Sequence, residues 1–433
     1  MPRLTSQRPP RGPLQPRRLC LLLLLTSTLL APAARVLGRQ EIRPLLPNDP
    51  VGRELAGGQS HPYRISLAAG QYLQVVVEQR GIDVVVTLFG PDGKQLIEVD
   101  SPNGTQGPEP VSAVVGVSGD YRLEVRSLEK DAPAGRYEVK LGELREATEQ
   151  DRRRVSADQA FREAERLLGQ GTSESQRAAL DEYGVALSLY HTLGDTPAEA
   201  FVLARLGLIN NTFGDKRQAL GYYTQALPLY RAGGDHDGEI TILDNIGGVY
   251  DDLGERQKAL DYYGQSLALS RSVGNRAFEA GALSNIAAVY NDLGERQTAL
   301  SYYMQALPLR RAVGDKRGEA TTLNNVGGLY YDLGDRQKAL DYYTQALPLR
   351  RAVGDRDGEA VTLSNMGMVY NDLGQRQKAL DFTEQSLAIF RDIGNLGFEA
   401  GVLANLGEIN LRWGDNRKAA DYYSDIHLNA TSV

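Results

Sequence analysis

An α+β multidomain chain is predicted, an antiparallel β-sandwich of jelly-roll type followed by an all-α solenoid of stacked helical hairpins. Three observations carry this. Between residues 41 and 142, short runs alternate apolar and polar residues with period two, as in "QYLQVVVEQ" and "YRLEVRSL", and turn sequences such as "PDG" and "SGD" separate them. Beyond residue 156, glycine recurs every forty residues at Gly214, Gly254, Gly294, Gly334, Gly374 and Gly414, and again midway at Gly234, Gly274, Gly314, Gly354 and Gly394. Within one period, Leu323, Val326, Gly327, Tyr330 and Leu333 share one helical face, while Ala339, Tyr342, Tyr343, Ala346 and Leu347 share the next.

The first 38 residues read as a secretory signal peptide. Arg3, Arg8, Arg11, Arg17 and Arg18 precede an apolar run over residues 19–30, and the small residues of "APAARVLG" follow. That run falls short of the roughly twenty residues an integral membrane span needs. The expectation is export, to the periplasm, the cell surface or the medium. Cys20, the only cysteine of the chain, lies inside the run, so the mature protein is expected to lack disulfides, thiolate metal sites and a cysteine nucleophile.

Residues 41–142 hold six to eight expected strands. The order of "GIDVVVTLFGPDGK", "SGDYRLEV" and "AGRYEVKL" resembles the exported accessory modules called pre-peptidase C-terminal-like domains, and the resemblance implies a binding or spacing role without chemistry. Asp83, Asp92, Asp100, Asn103 and Asp120 are either turn residues bonding their local backbone or oxygen ligands for calcium. Asn103, Asn210 and Asn429 begin N-x-T glycosylation acceptor patterns. Residues 143–157 are expected to be a charged helical linker.

Residues 156–430 are expected to form six full units, the first degenerate, and a partial seventh. Gly334 is suited to end a first helix in the left-handed conformation, and Asp335 to open the second with charge favourable to its dipole. Small residues at Gly327, Ala339 and Ala346 admit close helix approach. The spacing of Gly327, Tyr330, Gly334, Ala339, Tyr343 and Ala346 resembles the tetratricopeptide repeat, in the forty-residue form of kinesin light chains; Leu323 stands where that family often has Trp, and Arg351 where it often has Pro. In the seventh unit, Ile426 and His427 replace the expected Ala and Leu, so the second helix is expected to lapse and the uncapped end to self-associate. The arrangement as a whole resembles exported bacterial proteins in which such an array precedes a CHAT domain, a caspase-like peptidase module.

The resemblance places the first helix of each unit on the concave groove. There Thr321, Asn325, Gly328 and Asp332 form a stripe, and corresponding positions give an amide column, Asn245, Asn285, Asn325, Asn365 and Asn405, beside a carboxylate column, Asp252, Asp292, Asp332 and Asp372. Arg205 and Arg412 replace Asn and Asp in the flanking units. An amide accepts from one backbone N–H and donates to one carbonyl, so such a column can hold an extended peptide, the carboxylates favouring basic segments and the two arginines an acidic group.

A net charge of -7 and a sequence pI near 5.4 exclude a general nucleic-acid binder, which needs a basic stripe. The histidines His61, His191, His236 and His427 sit in no nucleophile, phosphate-loop or zinc motif. The sequence therefore predicts a non-catalytic, cofactor-free scaffold that binds proteins or extended peptides; the alternative is the substrate-recognition front portion of a CHAT-type peptidase.

Overall fold

The computed structural model describes residues 42–100 and 104–430, with side chains to residue 426. The signal-peptide reading, Cys20 and Asn103 lie outside the described residues, as do the side chains of His427 and Asn429. The chain divides into two compact units, whose described parts are residues 42–202 and 203–430.

Among the described residues, the first unit has nine strands in two sheets, which precede its helices. One sheet has the order β1 (Arg43–Pro44), β3 (Ser60–Leu67), β8 (Gly119–Ser127), β5 (Val84–Phe89), β6 (Gln95–Val99); the other runs β2 (Val51–Leu55), β9 (Gly135–Glu146), β4 (Gln71–Arg80), β7 (Gln106–Val114). Every pairing is antiparallel except the two-residue β1 against β3. Alternation sends Leu73, Val75 and Val77 of β4 inward to meet Val86, Leu88, Leu123 and Val125 from the facing sheet. Edge strand β7 carries Pro108 and Pro110, which cannot donate to a further strand and so blunt that edge.

The expected linker differs from what forms. Residues 143–146 are the last of β9, and helix α1 (Glu149–Leu168) starts after two residues, capped by Thr148 and Asp151 in a reciprocal pair. Arg145 ties strand to helix by bonding both Glu143 and Asp151, and it holds the Asp151 carboxyl far below the carboxylate range. Polar composition hid the strand because its outward residues are charged while only Tyr137, Val139 and Leu141 face the core.

Helices α1 to α14 make seven hairpins: α1 with α2 (Ser173–Leu193), α3 (Thr196–Thr212) with α4 (Lys216–Gly233), α5 (His236–Asp252) with α6 (Arg256–Val273), α7 (Arg276–Asp292) with α8 (Arg296–Ala312), α9 (Lys316–Asp332) with α10 (Arg336–Ala352), α11 (Arg356–Asp372) with α12 (Arg376–Ile393), and α13 (Leu396–Arg412) with α14 (Asn416–Ala430). The last helix, expected to lapse, is present, and Tyr422 and Ile426 pack against Phe390, Leu403 and Leu406. Ile426 serves the role expected of alanine because a helix end lined by aliphatics accepts a larger side chain.

The hairpin α9–α10 shows why the repeat folds. Gly334 has φ 87°, which ends α9, and the Asp335 carboxylate accepts from the Lys338 amide at 3.1 Å to start α10. Gly327 lies flat on the Tyr343 ring, where an added Cβ would stand 2.7 Å from Cε1. In the preceding hairpin, Ala287 already occupies that place opposite Tyr303. Gly327→Ala is therefore expected to be mild, whereas Gly327→Leu is expected to cost about 1–3 kcal/mol through overpacking, read as a lower midpoint in chemical unfolding. Equal midpoints for the two variants would show that the ring does not limit the approach.

Candidate binding groove

Within the second unit, α5 touches α7, α9 touches α11 and α11 touches α13, while no two second helices come as close. The stack is tighter along its first helices, so these line the inner side of the curve. The five amides are carried there, each half-buried.

Their bonding separates them into two groups. Asn365 donates from Nδ2 to Asn324 Oδ1 at 3.3 Å, and Asn405 donates to Ser364 Oγ at 3.1 Å, each across a unit boundary. Asn325 donates to the Tyr303 hydroxyl at 3.2 Å. Asn245 and Asn285 make no side-chain hydrogen bond, so both keep donor and acceptor for a ligand. Beside them stand Gly248, Ala288 and Gly328, whose small side chains leave the inner wall open to another backbone. Farther along, Met368 and Glu408 occupy the same position, and a cleft of ≈ 20 Å³, room for about one water, lies between Tyr331, Asn371, Asp372 and Asn405.

The carboxylate column has a different role from the one expected. Four second helices open on a cation that reaches the aspartate closing the next unit's first helix: Lys216 to Asp252 at 2.6 Å, Arg256 to Asp292 at 3.5 Å, Arg296 to Asp332 at 3.5 Å and Arg336 to Asp372 at 2.7 Å. Arg412 takes the other oxygen of Asp372 at 3.2 Å. The column thus joins neighbouring units and is neutralised, so it does not select basic ligands, and Arg412 is not left for an acidic one. Arg205 sits half-buried on α3 and has an interaction partner of its own. These pairs were legible as an offset of 36 residues between opposite charges, a signal that reading one helix at a time does not register.

A second series crosses the turn between units. Arg231, Arg271, Arg311, Arg351 and Arg391 each present Nε to a glutamate eight residues on, at 2.6 to 2.9 Å. The glutamates are largely covered, whereas the arginines stay about half exposed. The tyrosine pairs are packing elements: Tyr343 is buried on Gly327, and Tyr342 stacks on Tyr330 at 5.4 Å. Burial first, then the Asp372 carboxylate, pushes the Tyr331 hydroxyl up to about 12, so it is a neutral phenol in the groove.

The remaining sequence candidates resolve individually. Asp92 accepts from the Lys94 amide and Asp120 from the Ser66 hydroxyl, both as local turn or cross-strand bonds. Asp83 is pushed up by burial and by its neighbours Asp100 and Glu129. Among the described residues, no group of three His, Cys, Asp or Glu side chains is placed to hold a metal. His61 is a core residue, its Nδ1 at 2.8 Å from the Tyr137 hydroxyl. Asn210 does not fit a glycosylation site: it is buried in α3 and its Nδ2 donates to the Leu206 carbonyl. No described helix is long and apolar enough to cross a membrane.

Residues 278–352 and 354–426 match one tetratricopeptide-repeat model, and residues 242–277 match another. This part of the chain consists of tetratricopeptide repeats. Among solved structures, aspartyl phosphate phosphatase F from Bacillus subtilis is 13% identical with a TM-score of 0.54, over 65% of this chain and 72% of that one. The apo form of RapI is 15% identical with a TM-score of 0.52, over 65% of this chain and 98% of that one. BtubC from P. vanneervenii is 24% identical with a TM-score of 0.41, over 57% and 93%. At such identities the likeness to the first two is one of fold. No curated protein matches the chain in sequence.

Proposed function

We propose that this tetratricopeptide-repeat array is a non-catalytic scaffold that binds an extended peptide, or an extended segment of a protein, along its first helices. The observation that carries the reading is the free pair Asn245 and Asn285 on the inner face, beside Gly248 and Ala288. Two half-buried amides one unit apart can each exchange two hydrogen bonds with a peptide main chain, and the small neighbours let that chain approach. Four such bonds at about 0.5–1.5 kcal/mol each give modest affinity once ordering is subtracted, so the partner gains further contacts from side chains or from a larger surface.

Because the carboxylates are paired, selection by charge is not part of the groove's mechanism. Export is carried with the proposal on the arginine-rich start and apolar run of residues 1–38. The second reading, recognition of substrate for a CHAT-type peptidase, uses the same groove and differs only in what accompanies it.

The test pans a random dodecapeptide library on the full chain and measures the best binder by fluorescence anisotropy. Asn245→Ala with Asn285→Ala is expected to weaken that binder at least about tenfold, with helicity by circular dichroism unchanged. Equal affinity for the double variant, or no enrichment at all, would remove the groove reading.

A further inference from the structure

A cation at the first position of a helix opposes the macrodipole, so it calls for a separate reason. In the second helices α4, α6, α8 and α10 that reason is the clamp to the next unit's aspartate. The first helices α5, α7, α9 and α11 open on His236, Arg276, Lys316 and Arg356. Arg356 repeats the clamp, with Asp392 at 3.4 Å and Glu359 at 3.2 Å. At the same offset from Arg276 and Lys316 the chain has Ala312 and Ala352. Both side chains are exposed and neither makes an ion pair or hydrogen bond.

Other cations surround these two. Arg271 and Arg311 are held at Nε by Glu279 and Glu319, with about half of each side chain exposed. Arg317 is 58% exposed, its carboxylate neighbour Asp355 lying 3.9 Å away across the turn. Successive turns abut, as the bond from Asn275 to Asp237 and the Arg317 to Asp355 contact show. Residues 270–279 and 310–319 together carry six cations against three carboxylates, while residues 230–239 carry one against three. A local excess of positive charge thus sits in the middle of a chain whose net charge is -7.

The geometry points to this edge, the α6–α7 and α8–α9 turns, as a docking surface for an acidic polypeptide segment. Arg276 and Lys316 supply charge that no internal partner takes, and Arg271 and Arg311 supply forks suited to bidentate carboxylate contact. A short acidic segment senses charge only within about 10 Å at ordinary ionic strength, so the patch acts on it alone. A dense polyanion or an anionic membrane meets the acidic remainder of the chain as well, and is repelled by it. The surface lies at the turns between units, apart from the groove amides, and stands independently of the groove reading.

A fluorescein-labelled decapeptide of Asp and Glu, titrated with the full chain at about 0.1 M ionic strength, tests this. Arg276→Glu with Lys316→Glu is expected to weaken binding about tenfold, and the control Lys130→Glu with Arg152→Glu, which changes net charge equally, to leave it within about twofold. Asn245→Ala with Asn285→Ala is expected to have no effect on this probe, which separates the edge from the groove. The proposal is overturned by any of three results: no binding to the native chain, equal losses in both charge variants, or tighter binding of a heparin fragment or phosphatidylserine vesicles through the same two residues.

Discussion

Asp355→Ala is expected to destabilise the α10–α11 junction by about 3–5 kcal/mol, the cost of stranding a buried charge. Arg350 is 6% exposed and lies against Asp355, and its Nε has no partner. Asp355 is also the cap of α11, accepting from the Gly358 amide at 3.2 Å, so the substitution removes a helix start as well. The corresponding place in the α4–α5 turn holds Tyr230 over Gly238, and in the α12–α13 turn Phe390 stacked on Phe398 at 5.2 Å. Arg350→Tyr is thus expected to keep stability within about 1 kcal/mol of the native chain, since in the α4–α5 turn Asp235 caps its helix beside Tyr230 without a paired arginine. An array of repeats need not unfold in one step, so hydrogen exchange across α10 and α11 is the measurement that localises the loss. A change below about 1 kcal/mol for Asp355→Ala would mean that the guanidinium reaches solvent without cost.

Asp244→Ser is expected to stabilise the chain by about 2–3 kcal/mol at pH 7 and hardly at all near pH 3.5. Asp244 lies between α5 and α6 with its Oδ1 covered and unpartnered. Burial pushes its carboxyl up to about 6, and the neighbouring Ser266 hydroxyl offsets this only in part. In the unfolded chain the same group ionises near 3.9. A carboxyl whose folded value is raised binds its proton more tightly in the native state, so native stability falls as pH rises from about 4 to about 6 and stays lower above that. Serine at this position cannot titrate, and Ser284 and Ser364 show that the hairpin accepts it. The gap between native and variant midpoints should open across that window. A gap of constant size from pH 3.5 to 7 would assign the effect to packing and reject the buried-carboxylate account.

The hairpin repeat was legible because the same forty residues recur: glycines at every turn, alanines and tyrosines at the close contacts, Asp or Asn at helix starts. The sandwich was legible as far as its period-two runs, and β1 escaped because two residues cannot display a period. The amide column was legible as a column, yet the division between Asn245 and Asn285 on one side and Asn365 and Asn405 on the other was not. That division depends on Asn324 and Ser364, one residue away on the helix and one unit away in space. The expectation of ligand-facing carboxylates misses partners that lie 36 residues distant, beyond the span over which helix patterns are compared.

Local periodicity and turn chemistry act within a few residues, so the order of parts and the hairpin unit follow from the chain alone. Which charges and amides remain available depends on how the hairpins stack. Stacking brings each helix end against the start of a helix in the adjacent unit, and opposite charges there lower their energy by pairing. Asp252, Asp292, Asp332 and Asp372 pair in this way, whereas Arg276 and Lys316 have alanine at the offset where an acid would close the pair and make no ion pair.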